Sequence, residues 1–275
     1  MKVLATRRYP GPAFDELDEV EIQPLAQLDG SRDDVEGLIM ANEPVPLTLL
    51  PNLRIVANFG VGYDRIDVAA CAARDVVVTN TPGVLDAATA DLAFALILAT
   101  RRRIVEGDRL VRSRRWATSW SEGGLAEEVT GSTLGIVGLG RIGSAVAERA
   151  RGFGLRVLYT GRRPAETVLG EFRTLDILLS EADIVTLHVP LTDETEGMID
   201  ASRLGLLGDG SCFVNTARGE IVDEDASSRS WSPAASAPAS MCSRTNRTSR
   251  RCSSTCRTSC SPRTSGAPPG RRGRR

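Results

Sequence analysis

Thr133-Leu134-Gly135-Ile136-Val137-Gly138-Leu139-Gly140-Arg141-Ile142-Gly143-Ser144 carries the strongest structural signal in this chain of 275 residues. A short apolar run precedes Gly138, and residues 144–150 continue with helical spacing, so the G-x-G-x-x-G lies between a strand and a helix, the context that gives the motif meaning. Gly138 permits a tight turn, Gly140 lets the main chain approach a pyrophosphate, and Gly143 lets the helix pack against the strand. The helix N-terminus, with its unpaired N–H groups, attracts the phosphates. The segment therefore predicts a dinucleotide-binding turn in which Gly138, Gly140, Arg141, Ile142 and Gly143 touch the cofactor.

The strand predicted next, over 156–159, runs into Tyr159-Thr160-Gly161-Arg162-Arg163. A site built for NAD places a carboxylate there to accept the ribose hydroxyls, whereas a 2′-phosphate needs cations and no acid. Arg162 and Arg163 fit the second case, so NADPH is the preferred cofactor, with NAD possible.

Further strands are expected over 184–188 and 211–215, and upstream over 3–6, 37–41, 53–58 and 76–80. Candidate helices over 13–17, 45–50 and 68–74 alternate with the upstream strands, the βαβ rhythm of a parallel sheet. A mostly apolar stretch over 85–112 reads as one long helix that turns basic at its C-terminal end, where cations suit the helix dipole. It joins two α/β lobes, one over 1–84 and one over 85–226.

That texture stops near Asp225. Residues 1–225 hold all 35 acidic and 23 of the 34 basic residues, a net charge of −12, while 226–275 hold 11 Arg and no acid. The last fifty residues contain no Val, Leu, Ile, Phe or Tyr and cannot bury a core, so a disordered tail over 227–275 is expected. The abrupt change suggests a shifted reading frame in preference to a Ser/Arg-rich arm, and no nucleic-acid partner is expected. Cys252, Cys256 and Cys260 recur at intervals of four, but no His or acid lies near and C-x2-C pairs are absent, so no metal site is assigned. Cys71 and Cys212 read as small core residues. The start has too short an apolar run for a secretory signal, and no stretch approaches the roughly 20 apolar residues of a membrane span, so a cytoplasmic protein without a membrane partner is expected.

Four further segments, in order, give the chain a family likeness. Asn58-Phe59-Gly60-Val61-Gly62-Tyr63-Asp64-Arg65-Ile66-Asp67, Asn80-Thr81-Pro82-Gly83, His188-Val189-Pro190-Leu191-Thr192 with Thr195, and Asn215-Thr216-Ala217-Arg218-Gly219 resemble segments of the D-isomer-specific 2-hydroxyacid dehydrogenases. Leu158-Tyr159-Thr160-Gly161-Arg162 is similar to the glyoxylate/hydroxypyruvate reductase branch.

The resemblance implies a flavodoxin-like substrate lobe, a doubly wound NAD(P) lobe and a homodimer formed through the interdomain helix. It implies that Val61 and Gly62 bind the substrate carboxylate by backbone N–H groups. Thr81, Val189, Pro190, Thr195, Thr216 and Ala217 would border the cofactor, and Arg218 would be catalytic. An arginine suits a 2-oxo acid because one guanidinium can bond the carboxylate and polarise the adjacent carbonyl. The family's proton donor is a His in a Pro-His-x-Gly segment, oriented by a Glu, both after Arg218. Neither occurs here, and the single His, His188, precedes Arg218 and matches a cofactor-bordering position. The expected activity is reduction of glyoxylate or hydroxypyruvate to the D-2-hydroxy acid; the alternative is an inactive frameshifted fragment that keeps the cofactor-binding residues.

Overall fold

The computed structural model describes residues 1–116, 125–166 and 168–223, together with the backbone of residues 239–240. A first parallel sheet is built from β1 (Val3–Ala5), β2 (Val20–Ile22), β3 (Gly37–Met40), β4 (Ile55–Asn58) and β5 (Val77–Thr79), in the order β2-β1-β3-β4-β5. This is the flavodoxin-like order, with its topological switch between β1 and β3. Its core gathers Leu4, Leu38, Met40, Leu50, Val56 and Cys71. The helices α1 (Pro12–Asp15) and α2 (Val68–Ala72) are short, and Asp67 caps α2 by accepting from the Ala70 N–H at 2.8 Å.

Residues 45–50 are not helical. Pro44, Pro46 and Pro51 break the run, since each lacks an N–H and restricts its predecessor. The chain turns instead, with Leu47 N–H donating to Val45 and Leu49 N–H to Pro46. The strand β2 lay below the threshold of pattern reading: three residues at a sheet edge show no alternation to detect.

The stretch expected as one helix over 85–112 is two, α3 (Asp86–Arg101) and α4 (Ile104–Arg112). Arg103 between them is left-handed at φ 51°, a conformation that ends a helix. The break is fixed by Arg101, whose side chain is 9 % exposed and pairs with Glu127 at 2.5 Å. Arg101 also donates to the Gly210 and Glu128 carbonyls. An apolar count along 85–112 carries no trace of these partners.

The second sheet comprises β6 (Thr133–Val137), β7 (Arg156–Thr160), β8 (Glu171–Phe172), β9 (Ile184–Leu187), β10 (Cys212–Asn215) and β11 (Ala239–Ser240), all parallel, ordered β11-β10-β9-β6-β7-β8. One face is covered by α3 and by α5 (Arg141–Gly152), through Ala93, Ile97, Val146 and Ala150. The other carries α6 (Leu175–Glu181) and α7 (Ala201–Leu204), through Leu178, Leu179 and Leu204. Helices on both faces of a parallel sheet make it doubly wound, with the switch point at β6 between β7 and β9. Within the stretch expected to be a disordered tail, Ala239 and Ser240 pair with Val214 and Asn215, which corrects that expectation at these two residues. The expectation of a disordered tail otherwise falls outside the described residues. Among the described residues no helix is long and apolar enough to cross a membrane.

Candidate active site

The Gly-rich turn leaves β6 at the switch point. Gly138 N–H donates to Thr160 at 3.0 Å and His188 N–H to Val137 at 2.8 Å, which ties the ends of β6, β7 and β9 together. Gly138 has φ 96°, and a Cβ there would lie 2.7 Å from Val189 Cγ1 and 2.8 Å from the His188 carbonyl. At Gly143 a Cβ would overlap the Gly138 carbonyl oxygen, so α5 could not start so close to the turn. Gly140 differs: among the described residues a Cβ there meets nothing within 4 Å. Two of the glycines are demanded by the protein's own packing, and the third opens onto space.

That space fits a dinucleotide. Gly140 caps α5 without any side-chain hydrogen bond, which leaves the first-turn N–H groups to an incoming phosphate. Thr216, just past β10, has a buried hydroxyl with no hydrogen-bond partner among the described residues. Arg141, Arg162 and Arg163 are exposed. The Glu194 carboxyl is held below its usual range by the Thr192 hydroxyl first, then by backbone, with Arg162 adding to the effect, so the 161–163 turn and the 192–195 loop share one neighbourhood. Thr195 Oγ1 closes that loop by accepting from Thr192 N–H at 2.8 Å and donating to the Pro190 carbonyl at 2.6 Å.

His188 is partly buried, with Nε2 at 2.9 Å from Thr186 Oγ1. Burial pushes its imidazole down to about 4. It is neutral at neutral pH and lies beside the Gly138 turn, a position that suits lining the groove and does not suit proton donation.

In the first sheet the loop after β4 is held from within. Buried Asn58 donates to the Gly60 and Gly62 carbonyls at 3.2 and 2.8 Å, and Asn80 donates to the Val61 carbonyl at 3.0 Å. Thr81 N–H donates to Gly60 at 3.0 Å. With carbonyls turned inward onto amides, the loop is rigid at Val61 and Gly62. Sequence reading named those two and quoted Asn58 and Asn80 at the heads of their motifs without a role, because a side-chain brace onto loop carbonyls leaves no spacing to read.

Arg218 comes from the other sheet. Buried Asn215 braces its turn, donating to the Arg218 carbonyl at 2.7 Å and accepting from Ala217 N–H at 3.0 Å. The guanidinium then reaches the loop after β4: Nε donates to Asp64 Oδ1 at 3.0 Å, Nη2 lies 2.8 Å from the same oxygen, and Nη1 donates to the Ala217 carbonyl at 2.8 Å. A Cβ at Gly62 would overlap Nη2. Thus Val61, Gly62 and Arg218, 157 positions apart at the extremes, meet at one point. Asp64 was quoted in the loop but given no role by sequence reading, since its partner is 154 residues away.

Residues 94–229 match the model of the D-isomer specific 2-hydroxyacid dehydrogenase NAD binding domain. The chain is 52 % identical over 243 residues to a glyoxylate reductase of Korarchaeum cryptofilum, covering 82 % of this chain and 73 % of that one. It is 46 % identical over 246 residues to a glyoxylate reductase of Thermococcus kodakarensis, covering 82 % and 74 %. Among solved structures, the NADPH-dependent glyoxylate/hydroxypyruvate reductase of Sinorhizobium meliloti, in complex with NADP and malonate, is similar with a TM-score of 0.73 at 36 % identity, covering 82 % of this chain and 73 % of that one. The chain belongs to the D-isomer specific 2-hydroxyacid dehydrogenase family.

Proposed function

We propose that the residues of this chain serve NADPH-dependent reduction of a small 2-oxo acid, glyoxylate or hydroxypyruvate, to the D-2-hydroxy acid. The observation that supports this most is the meeting of Arg218 with Gly62: a fixed cation against a rigid backbone loop suits a carboxylate flanked by a carbonyl. Backbone N–H groups at Val61 and Gly62 hold the carboxylate, and Arg218 polarises the carbonyl. Bound nicotinamide supplies the hydride. The Gly138–Gly143 turn and the start of α5 hold the pyrophosphate, Arg162 and Arg163 pair with a 2′-phosphate, and Val189, Pro190, Thr195, Thr216, Ala217 and Thr81 border the cofactor. Residues 1–84 act as the substrate lobe and 85–226 as the cofactor lobe, and two copies associate through α3 and α4.

Cofactor binding is the direct test. Titration of the chain with NADPH and NADH, followed by protein fluorescence, should show tighter NADPH binding. Oxalate, a planar 2-oxo acid mimic, should bind the NADPH complex and lose affinity in Arg218→Ala. Failure of both cofactors to bind would refute the reading.

A further inference from the structure

We propose that Asp64 is a positioning residue: it clamps the Arg218 guanidinium so that its outer edge is presented to the substrate beside Gly62. The inference rests on the reading of the site as one for 2-oxo acids. Arginine side chains are long and lose much rotamer freedom when fixed, so a catalytic guanidinium at the end of an extended segment needs a holder. Arg218 is in extended backbone ahead of a 3-10 turn, and its side chain is 34 % exposed. What it finds is one oxygen of Asp64, against both Nε and Nη2, and the Ala217 carbonyl on Nη1.

The clamp itself is held. The Asp64 side chain is only 12 % exposed, and both of its oxygens lie 3.2 Å from Asn42 Nδ2. Asn42 adopts φ 48°, a left-handed conformation that Asn tolerates better than most residues. In that pose its own N–H donates to Asn58 Oδ1 at 2.8 Å and its Oδ1 accepts from Arg65 N–H at 3.0 Å. Asn58 is the same residue that holds the Gly60 and Gly62 carbonyls. One network therefore fixes both the loop that receives the carboxylate and the cation that receives the carbonyl.

Burial opposes the charge on Asp64, and the hydrogen bonds from Arg218 and Asn42 outweigh it, so the carboxyl stays ionised below its ordinary range. Asp64 takes the Nε–Nη2 flank, so the Nη1–Nη2 edge is the one turned to a ligand. A carboxylate on that flank could instead compete with substrate for the cation, and the two roles differ in sign. Removing a competitor tightens binding of an anion; removing a clamp loosens it.

The test uses the full chain saturated with NADPH and reads oxalate affinity by calorimetry in Asp64→Asn, Asp64→Glu, Arg218→Ala and the Asp64→Asn/Arg218→Ala double variant. Loss of a charge-assisted hydrogen bond should weaken oxalate about tenfold in Asp64→Asn, with partial recovery in Asp64→Glu. In the Arg218→Ala background the same substitution should have little further effect, because Asp64 acts through Arg218. Equal losses in both backgrounds would mean that Asp64 merely supports the loop, and unchanged or tighter oxalate in Asp64→Asn would make it a competitor; either result overturns the proposal. A second readout needs no ligand. The Arg218 Nε–H resonance of the nitrogen-15-labelled chain, assigned by its loss in Arg218→Ala, should be downfield and slow to exchange, and should shift in Asp64→Asn. An unmoved resonance overturns the clamp, whereas a native resonance in a chain that binds no oxalate overturns the 2-oxo acid reading instead.

Discussion

At the scale of single residues, the glycines of the turn separate packing from binding. Gly140→Ala meets open space at an ordinary backbone conformation, φ −84°, and should leave the melting temperature unchanged while weakening NADPH several-fold. Gly143→Ala drives a methyl into the Gly138 carbonyl and should destabilise by about 1–3 kcal/mol, the usual range for overpacking. Thermal denaturation and cofactor titration of the two variants check both halves; equal loss of stability would show that the space beside Gly140 is not a binding groove. His188 gives a pH signature. Its folded pKa of about 4 lies below the ordinary 6.5, so the unfolded chain binds the proton first as pH falls. The stability this contributes, up to about 3 kcal/mol, is complete above pH 6.5 and is lost between there and pH 4. His188→Gln should flatten the fall in melting temperature across that window. The glycines, Val61, Gly62 and Arg218 were legible because they stand in motifs. Asn58 and Asp64 stand in the same motif, but the motif assigns them no role, because what they do depends on contacts with Asn42 and, for Asp64, with Arg218 in the other sheet.

Secondary-structure elements were legible where a pattern was long enough to repeat. The strands β6, β7, β9 and β10 are apolar runs buried on both faces, and each was placed within a residue or two. The two-residue β8 and the break between α3 and α4 were not, because edge pairing and the Arg101 anchor are tertiary facts. The break has a consequence for assembly. On α4, Ile104, Val105, Leu110 and Val111 are 54, 42, 39 and 59 % exposed, an apolar surface on a helix whose other residues, Gly107 apart, are charged. The proposed homodimer would bury that surface, so Ile104→Asp with Val111→Asp should shift the mass measured by light scattering from two chains toward one, with the described fold retained by circular dichroism; a mass of one chain before substitution would remove the dimer proposal. At the end of β7, the pair Arg162 and Arg163 should set cofactor choice. Replacing both by Ser should weaken NADPH by about tenfold for each charge-assisted hydrogen bond lost and leave NADH nearly unchanged; a parallel loss for NADH would mean that the arginines face solvent.

For the whole molecule, Arg218 of the second sheet reaches the loop after β4 of the first, and the proton source for reduction is the group still to be assigned. A new alkoxide needs a proton, and general acid–base catalysis typically contributes a factor of about 10² to 10⁴. His188 is the only His, it is neutral and tucked beside the Gly138 turn, and no acidic residue follows Asp225. Among the described residues, β10 pairs along all four of its residues with β9 and along two with β11. We propose that the residues after Asp225 are read from a shifted frame, since the aliphatic and acidic residues vanish together at one point. Translation of the coding DNA in the other two frames beyond codon 225 should then yield Leu-, Val- and Glu-rich sequence with a Pro-His-x-Gly segment. This chain should show no more than trace reduction of glyoxylate or hydroxypyruvate with NADPH, and the frame-corrected chain should recover turnover that Arg218→Ala abolishes. Both versions should still bind NADPH, because every residue assigned to the cofactor precedes Asp225. Comparable turnover by the two versions would show that some other group delivers the proton, and the assignment of His188 to the cofactor groove would have to be withdrawn.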